Sequence, residues 1–351
     1  MPYGIGAKTK AGWGKETAWG IGVACTELVP FLSEDLTEQI AVLLDEYHHG
    51  GATQKNYQPS SHTIGGKLTV EGVYDTIASD PIGIGALLAT AVGGATWKVT
   101  QTKINFEPTT DLERYATLAF AKQISVWEIQ GAKCKSFEIS GSAQGKIQFS
   151  FDFVGRKLLR TGDAGIVNTS STFSGLTPTS DPTLMAFDHL LVRFASLGAP
   201  LAASDQINVS EFTLTVDNML TDPTFSSPKS GEDALYTLEP IRTGKRKVTL
   251  KLTIPRYESD AAFTAFKANT AKQCDLKFTS GTNQFNIFLP NLRVDEPTAP
   301  VTGPEPIQQT FTLVALDNQN GGVNGDMEFE SGDVIVYEYG IETKNARTAA
   351  P

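Results

Sequence analysis

Short stretches in which apolar and polar residues alternate recur along the whole chain, and a period of two marks strands with one buried face. Lys67-Leu68-Thr69-Val70-Glu71 is the first clear case, followed by Ser136 to Ser140 and Gln148-Phe149-Ser150-Phe151-Asp152-Phe153. The same kinds of segment return later as Lys247-Val248-Thr249-Leu250-Lys251, Phe285 to Leu289 and Gln309-Thr310-Phe311-Thr312-Leu313. Between first and second members of each set lies a helical run at equal spacing, Asp80 to Thr90 and Asp260 to Thr270, the second opened by an acidic residue suited to capping free N–H groups. Strand, helix, strand, turn, strand is thus written twice, which predicts a mainly β fold in two similar halves. Residues 97–130 add strand-like sequence around Trp97 and Trp127 to the first half only.

One segment has two readings. Leu36, Ile40, Leu43, Leu44 and Tyr47 stand at helical spacing, whereas the repeat places a strand there, matching Phe212 to Val216. The expectation follows the repeat. Thr161 to Pro182 is rich in Ser, Thr, Gly and Pro, so it reads as part of a linker over 159–184, between units 1–158 and 185–351. A long polar stretch precedes the Lys-rich strand of each half, Tyr47 to Thr63 and Asp217 to Pro240, and is expected to form a projecting hairpin arm. Glu46, Tyr47, Tyr57, Asp217, Phe225 and Tyr236 are the candidate contact residues of these arms. Acidic sequence from Asp326 to Glu342, around Val334-Ile335-Val336, is expected to supply a last strand.

Composition supports the β reading: charged residues are only 19%, and Gly is abundant at 32 residues. The net charge of −10 makes the surface as a whole repel nucleic-acid backbones. Three widely spaced cysteines, Cys25, Cys134 and Cys274, argue against a disulfide framework and are expected to pack as small apolar residues. The first nineteen residues lack the apolar run of a secretory signal, and Ile82 to Ala95 is too short to span a bilayer. No membrane partner is expected.

Catalytic constellations are not found: there is no H-E-x-x-H, C-x-x-C or G-x-S-x-G. Gly141-Ser142-Ala143-Gln144-Gly145-Lys146-Ile147 is one residue short of a phosphate loop and ends in Ile, so it is read as a tight turn. His48 and His49 beside Asp45 and Glu46 point to opposite faces if extended, which does not suit one metal ion. A non-enzymatic chain without cofactor or metal is expected. Arg242, Lys245, Arg246 and Lys247 form the densest basic cluster and are expected at a strand edge or as an ion-pairing patch for an acidic neighbour.

Several stretches together give the chain a family likeness. Trp13-Gly14-Lys15-Glu16-Thr17, Ser136 to Val154 with the following Gly155-Arg156, Val209 to Asn218, Arg242 to Leu250, and Val301-Thr302-Gly303-Pro304 before Gln309 to Leu316 resemble the tail tube (major tail) proteins of long-tailed bacteriophages, specifically the type with a duplicated tube domain. The resemblance implies two β-sandwich or half-barrel domains, each with one flanking helix and a long hairpin arm. It further implies trimeric rings of pseudo-sixfold symmetry, stacked into a tube whose acidic lumen passes DNA without specific binding. Tape measure, terminator and distal tail proteins would be the other partners, with assembly in the host cytoplasm and residence in the virion tail. The competing reading is a carbohydrate- or receptor-binding β-sandwich module, which should display aromatic residues on exposed loops.

Overall fold

A computed structural model describes residues 6–44, 57–74, 84–98, 103–110, 112–176, 182–225, 236–257, 259–301, 306–318, 327–329 and 332–344. The first part of the chain gives β1 (Lys10–Glu16), β2 (Glu27–Val29), β3 (Phe31–Glu34), β4 (Thr37–Leu44), β5 (Tyr57–Glu71), β6 (Val73–Tyr74), helix α1 (Ile84–Val92), β7 (Thr96–Lys98), β8 (Lys103–Phe106) and β9 (Tyr115–Ala121). It continues with β10 (Val126–Ser142), β11 (Gln148–Gly155), β12 (Lys157–Arg160), α2 (Ser170–Gly175) and β13 (Thr183–Leu184). The rest holds β14 (Leu190–Ser196), β15 (Gln206–Ile207), β16 (Glu211–Asp217), β17 (Lys247–Ile254), α3 (Ala261–Lys267), β18 (Lys272–Ser280), β19 (Asn283–Thr298), β20 (Gln309–Ala315) and β21 (Gly340–Lys344). The fold is mainly β, and every pairing between these strands is antiparallel.

The long strand β10 organises the first half. Its start pairs with β9 and β12, while its end pairs with β11 and β16. The change of sheet happens at Gly131, whose φ of 70° is open to glycine at little cost, and at the register shifts between Ile129 and Ala132 and between Cys134 and Ser136. The smaller sheet runs β2-β1-β9-β10-β12. The larger one contains β3 and β4 on β5, then β11, β10, β16, β17, β20 and β19. Beyond this series, β18, β14 and β15 continue from one side of β19, and β21, β8 and β7 from the other.

The strand order β3-β5-β11-β10 of the first half returns as β16-β17-β20-β19 in the second, and β10 pairs directly with β16. Residues 37–44 are indeed a strand, but the register matches β3, not β4, to β16, because Glu34 lies opposite Leu68 as Val216 lies opposite Val248. A second shift concerns Phe285 to Leu289. These residues pair with β18 and β21, and it is 292–298 that meet β20, because β19 is long enough to serve two sets of neighbours. The last strand is Gly340–Lys344, not 334–336; Val334 makes only a bridge to Glu328. Gly340–Lys344 wins because it can enter between β19 and β8 and become central.

The core is continuous through both halves. Phe153, Phe151 and Phe149 stack along β11, and Phe149 meets Phe285 edge-on at 5.5 Å between centroids, with Phe278 and Phe212 beyond. Helix α1 is apolar all round and buried along its length, as such a sequence requires. Gly93, at φ 103°, ends it with an N–H to Ala89 O bond of 3.0 Å. Asp260 stands at the N-cap of α3 as expected, yet its carboxylate accepts the Tyr257 hydroxyl instead of capping the helix. Asp80 lies outside the described residues.

The stretch expected as a linker packs, over 161–176, onto the smaller sheet. Asn168 is fully buried and donates to Val23 O (2.9 Å) and Glu128 Oε2 (2.9 Å), while its Oδ1 accepts the Cys25 N–H (2.7 Å). Glu128, also buried, takes the N–H groups of Val167 (3.0 Å) and Asn168 (2.6 Å) and the Gln130 amide (2.6 Å). Asn168→Ala leaves several of these groups without partners and is expected to cost about 1–3 kcal/mol, read as a lowered urea midpoint. All three cysteines are free and buried, and burial pushes their thiols up.

Candidate assembly surfaces

The larger sheet has one face in the core and one open. Across its eight strands the residues fall into straight rows. One row reads Ser33, Thr69, Ser150, Glu138, Thr215, Thr249, Val314 and Arg293 on the open face. The next reads Phe31, Val70, Phe149, Ile139, Leu214, Leu250, Leu313 and Val294 on the core side. Strand alternation makes the rows alternate in polarity. Further open rows bring in Lys67, Asp152, Ser136, Asp217 and Lys247, and then Glu71, Gln148, Ser140, Thr213, Lys251, Thr312 and Glu296.

Hydroxyl and charged side chains share this face, and its carboxylates (Glu71, Glu138, Asp152, Glu211, Asp217, Glu296) are interleaved with Lys67, Lys247, Lys251 and Arg293. Burial raises the Asp152 carboxyl above the usual range, against the pull of Lys135 and Lys67 and with the help of Asp35 and Asp217. The result is a broad polar wall on which these six carboxylates outnumber the four cations among them. Among the described residues no group of three His, Cys, Asp or Glu side chains is placed to hold a metal, and no helix is long and apolar enough to cross a membrane.

The two ends of the eight-strand series are β3 with β4, and residues 293–298 of β19. Among the described pairings, neither β3 nor β4 has a neighbour besides β5, and 293–298 have none besides β20. An unpaired strand edge offers N–H and C=O groups to another strand.

A family model described as phage tail tube protein matches residues 6–315. The chain belongs to the phage tail tube protein family. It is a structural protein of the virion's tail. No curated protein matches it.

For a tube protein the arms are the second surface of interest. β4 and the start of β5 form a two-stranded ribbon from Thr37↔Gly65 to Leu44↔Tyr57. Ile40, Val42, Leu43, Leu44 and Tyr57 are all exposed, Tyr57 to 68%, so this ribbon shows apolar groups on both faces. Glu46 and Tyr47 lie outside the described residues, as do His48 and His49. The second arm is held by Thr221 N to Ile241 O (2.8 Å) and Leu238 N to Thr224 O (2.9 Å), and it exposes Phe225. Tyr236 is not at a tip: its ring lies 5.1 Å from that of His62 in the first arm and 5.1 Å beneath Lys157 Nζ. The two arms therefore meet within one chain. Asp217 ends β16 opposite Ser136 and Lys247, and its Oδ1 accepts the Met219 N–H (2.8 Å).

The basic cluster is not at a sheet edge, because β17 is flanked by β16 and β20. Its residues separate. Arg246 turns inward to Glu338 Oε2 (2.8 Å) and Thr109 O (2.8 Å), and Arg242 binds Asn218 O (3.1 Å) and Thr109 O (2.7 Å). These guanidiniums tie the loop after β8 to the second half; only Lys245 and Lys247 remain exposed. Sequence did not separate them, since the four differ in the partners that folding brings. Arg246→Met is expected to cost about 1–3 kcal/mol by removing the partner of the Glu338 carboxylate, while Arg242 still serves the Thr109 carbonyl; Lys245→Ala should stay within about 0.5 kcal/mol. Chemical denaturation of both variants checks this contrast. Trp97 and Trp127 are half-buried, and Trp127 carries Lys122 Nζ (4.1 Å) and Arg160 (4.5 Å) over its ring, so it forms no bare aromatic platform.

Proposed function

We propose that the chain polymerises as stacked rings to form the tube of a long-tailed phage, and that the open face of its eight-stranded sheet lines the lumen through which DNA leaves for the host. The observation that carries this reading is a broad polar sheet face whose two edges have no further strand partner among the described residues, in a chain of the tail tube family. Units 1–158 and 185–351, joined by 159–184, act as two tube domains arising by duplication; the shared strand order supports this. Three chains then give a ring of pseudo-sixfold symmetry. Assembly takes place in the host cytoplasm, with tape measure, terminator and distal tail proteins at the tube's ends and centre.

A lumen of this kind suits passage. Retention of DNA grows with the number of phosphates neutralised by cations, since each releases counterions. On the open face Lys67, Lys247, Lys251 and Arg293 stand among carboxylates and hydroxyls, and Lys135 lies by Asp152, so the rows described form no continuous cationic track.

Negative-stain microscopy of the concentrated protein tests the proposal. Hollow stacked rings are the expected image. Monodisperse monomers at every concentration, or monomers that bind glycans, would sink it.

A further inference from the structure

We propose that Lys103, Glu342 and Asn286 form a self-modifying site, in which the Lys103 amine displaces ammonia from the Asn286 side-chain amide and leaves an isopeptide bond between β8 and β19. The site lies within a single subunit and does not depend on the tube reading.

The sheet brings the three groups together. β21 lies between β8 and β19, with Glu342 opposite Asn105 on one side and opposite Asn286 on the other. Lys103 and Asn105 flank Ile104, so both belong to the face that carries Glu342 and Asn286. Lys103 Nζ donates to Glu342 Oε1 at 2.9 Å, and Asn286 Nδ2 donates to the same oxygen at 3.3 Å. An amine and an amide thus meet at one carboxylate. Lys103 is 6% exposed, Asn286 1% and Glu342 0%. Phe288 and Gly340 are the next pair along this face. Because Gly340 has no side chain, Phe329 packs against the strand there. Phe329 meets Phe288 edge-on at 5.7 Å, and Met327 and Ile335 complete an apolar cluster beside the site.

A plain buried ion pair would account for Lys103 and Glu342, but not for Asn286. Its Oδ1 is buried and has no hydrogen-bond partner among the described residues, a cost that native structures seldom carry without a reason. The covalent step gives that oxygen a role. One proton passed from the Lys103 ammonium to Glu342 removes both charges, which burial away from water favours. Half a turn of the Asn286 amide then brings Oδ1 to the Glu342 hydroxyl, whose donation polarises the Cγ carbonyl. The neutral Nζ attacks Cγ with its free electron pair. As the Nζ–Cγ bond forms, Glu342 relays a proton from Nζ to Nδ2, and the Cγ–Nδ2 bond breaks with release of ammonia. Ammonia departs as ammonium with the proton Glu342 first took, so the carboxylate is restored. An ammonium and an amide have become an amide and an ammonium, and no oxidant or reductant is needed. The new bond bridges β21 and closes a long loop of chain that unfolding would otherwise open.

The test is the intact mass of the purified full-length chain under denaturing conditions, followed by peptide mapping. Expected is a chain lighter by one ammonia than its sequence requires, with no tryptic cleavage after Lys103 and a branched peptide that joins Lys103 to Asn286. Lys103→Arg keeps a cation beside Glu342 but offers no amine, and is expected at full mass. Glu342→Gln removes the proton carrier and should form the link at least about a hundredfold more slowly. A native chain at full mass, with Lys103 and Asn286 in separate peptides, would overturn the proposal and leave an ion pair. Ammonia loss that persists in Lys103→Arg would overturn it too, since it would come from an asparagine cyclised elsewhere. Linking at the native rate in a folded Glu342→Gln chain would refute the role of Glu342. The native chain decides the main point without any variant having to fold.

Discussion

Replacing residues 41–61 with Asn-Gly is expected to leave a folded subunit that forms no stacked tube. The replacement closes the ribbon at the Ile40↔His62 pair with a two-residue turn suited to antiparallel strands. It keeps the His62–Glu38 pair at 2.7 Å and the contact of His62 with Tyr236, so the base of the arm retains its anchors. What disappears is an isolated two-stranded ribbon, an element of marginal stability by itself, with Val42, Leu43, Leu44 and Tyr57 in solvent. Losing surface residues of this kind should change the folding stability by no more than about 1 kcal/mol. Apolar groups left on both faces of a ribbon gain only when another surface covers them. The expected loss is therefore in assembly alone. Denaturation curves and microscopy read the two effects separately, and normal tubes from the truncated chain would show that the first arm has no part in stacking.

Phe149→Ala is expected to have the largest effect on folding. Its ring is fully buried, meets Phe285 edge-on at 5.5 Å and stacks on Phe151 at 6.4 Å. Truncation opens a cavity where the halves adjoin, for an expected loss of about 3–5 kcal/mol. That is a large fraction of the roughly 5–15 kcal/mol by which native domains are stable. Because the partner ring belongs to the other half, Phe285→Ala should couple to it by about 0.5–1.5 kcal/mol in a double-mutant cycle. Urea denaturation of the four proteins measures this. Independent losses would mean that the core is divided between the halves instead of shared.

Much of the fold was legible because the signals are local. Alternation in Lys67 to Glu71, Gln148 to Phe153, Phe212 to Val216 and Lys247 to Lys251 specifies strands with one apolar face, and each lies in the larger sheet. The tight turn at Gly141 to Ile147 was readable too, closed by a Gly145 N to Ser142 O bond of 2.9 Å. The strand over 37–44 was expected from a repeat match that belongs to β3, so the repeat did not locate it, and its apolar residues stand at helical spacing. They do so because neither face of the ribbon is buried, and nothing then enforces a period of two.

The assembly surfaces were less legible. A run of basic residues looks the same whether its side chains reach solvent or, like Arg242 and Arg246, reach carbonyls more than a hundred residues away. By itself the sequence determined the alternating central strands around Lys67 to Glu71, Gln148 to Phe153, Phe212 to Val216 and Lys247 to Lys251 and the apolar stripe each must bury, because these follow from neighbours within a few residues. Only the tertiary structure decided which strands lie side by side, that Gly340–Lys344 enters the sheet as the last strand, that 161–176 packs instead of hanging free, and which edges remain open. Those outcomes depend on partners distant in sequence, whose meeting is settled by the packing of a single shared core.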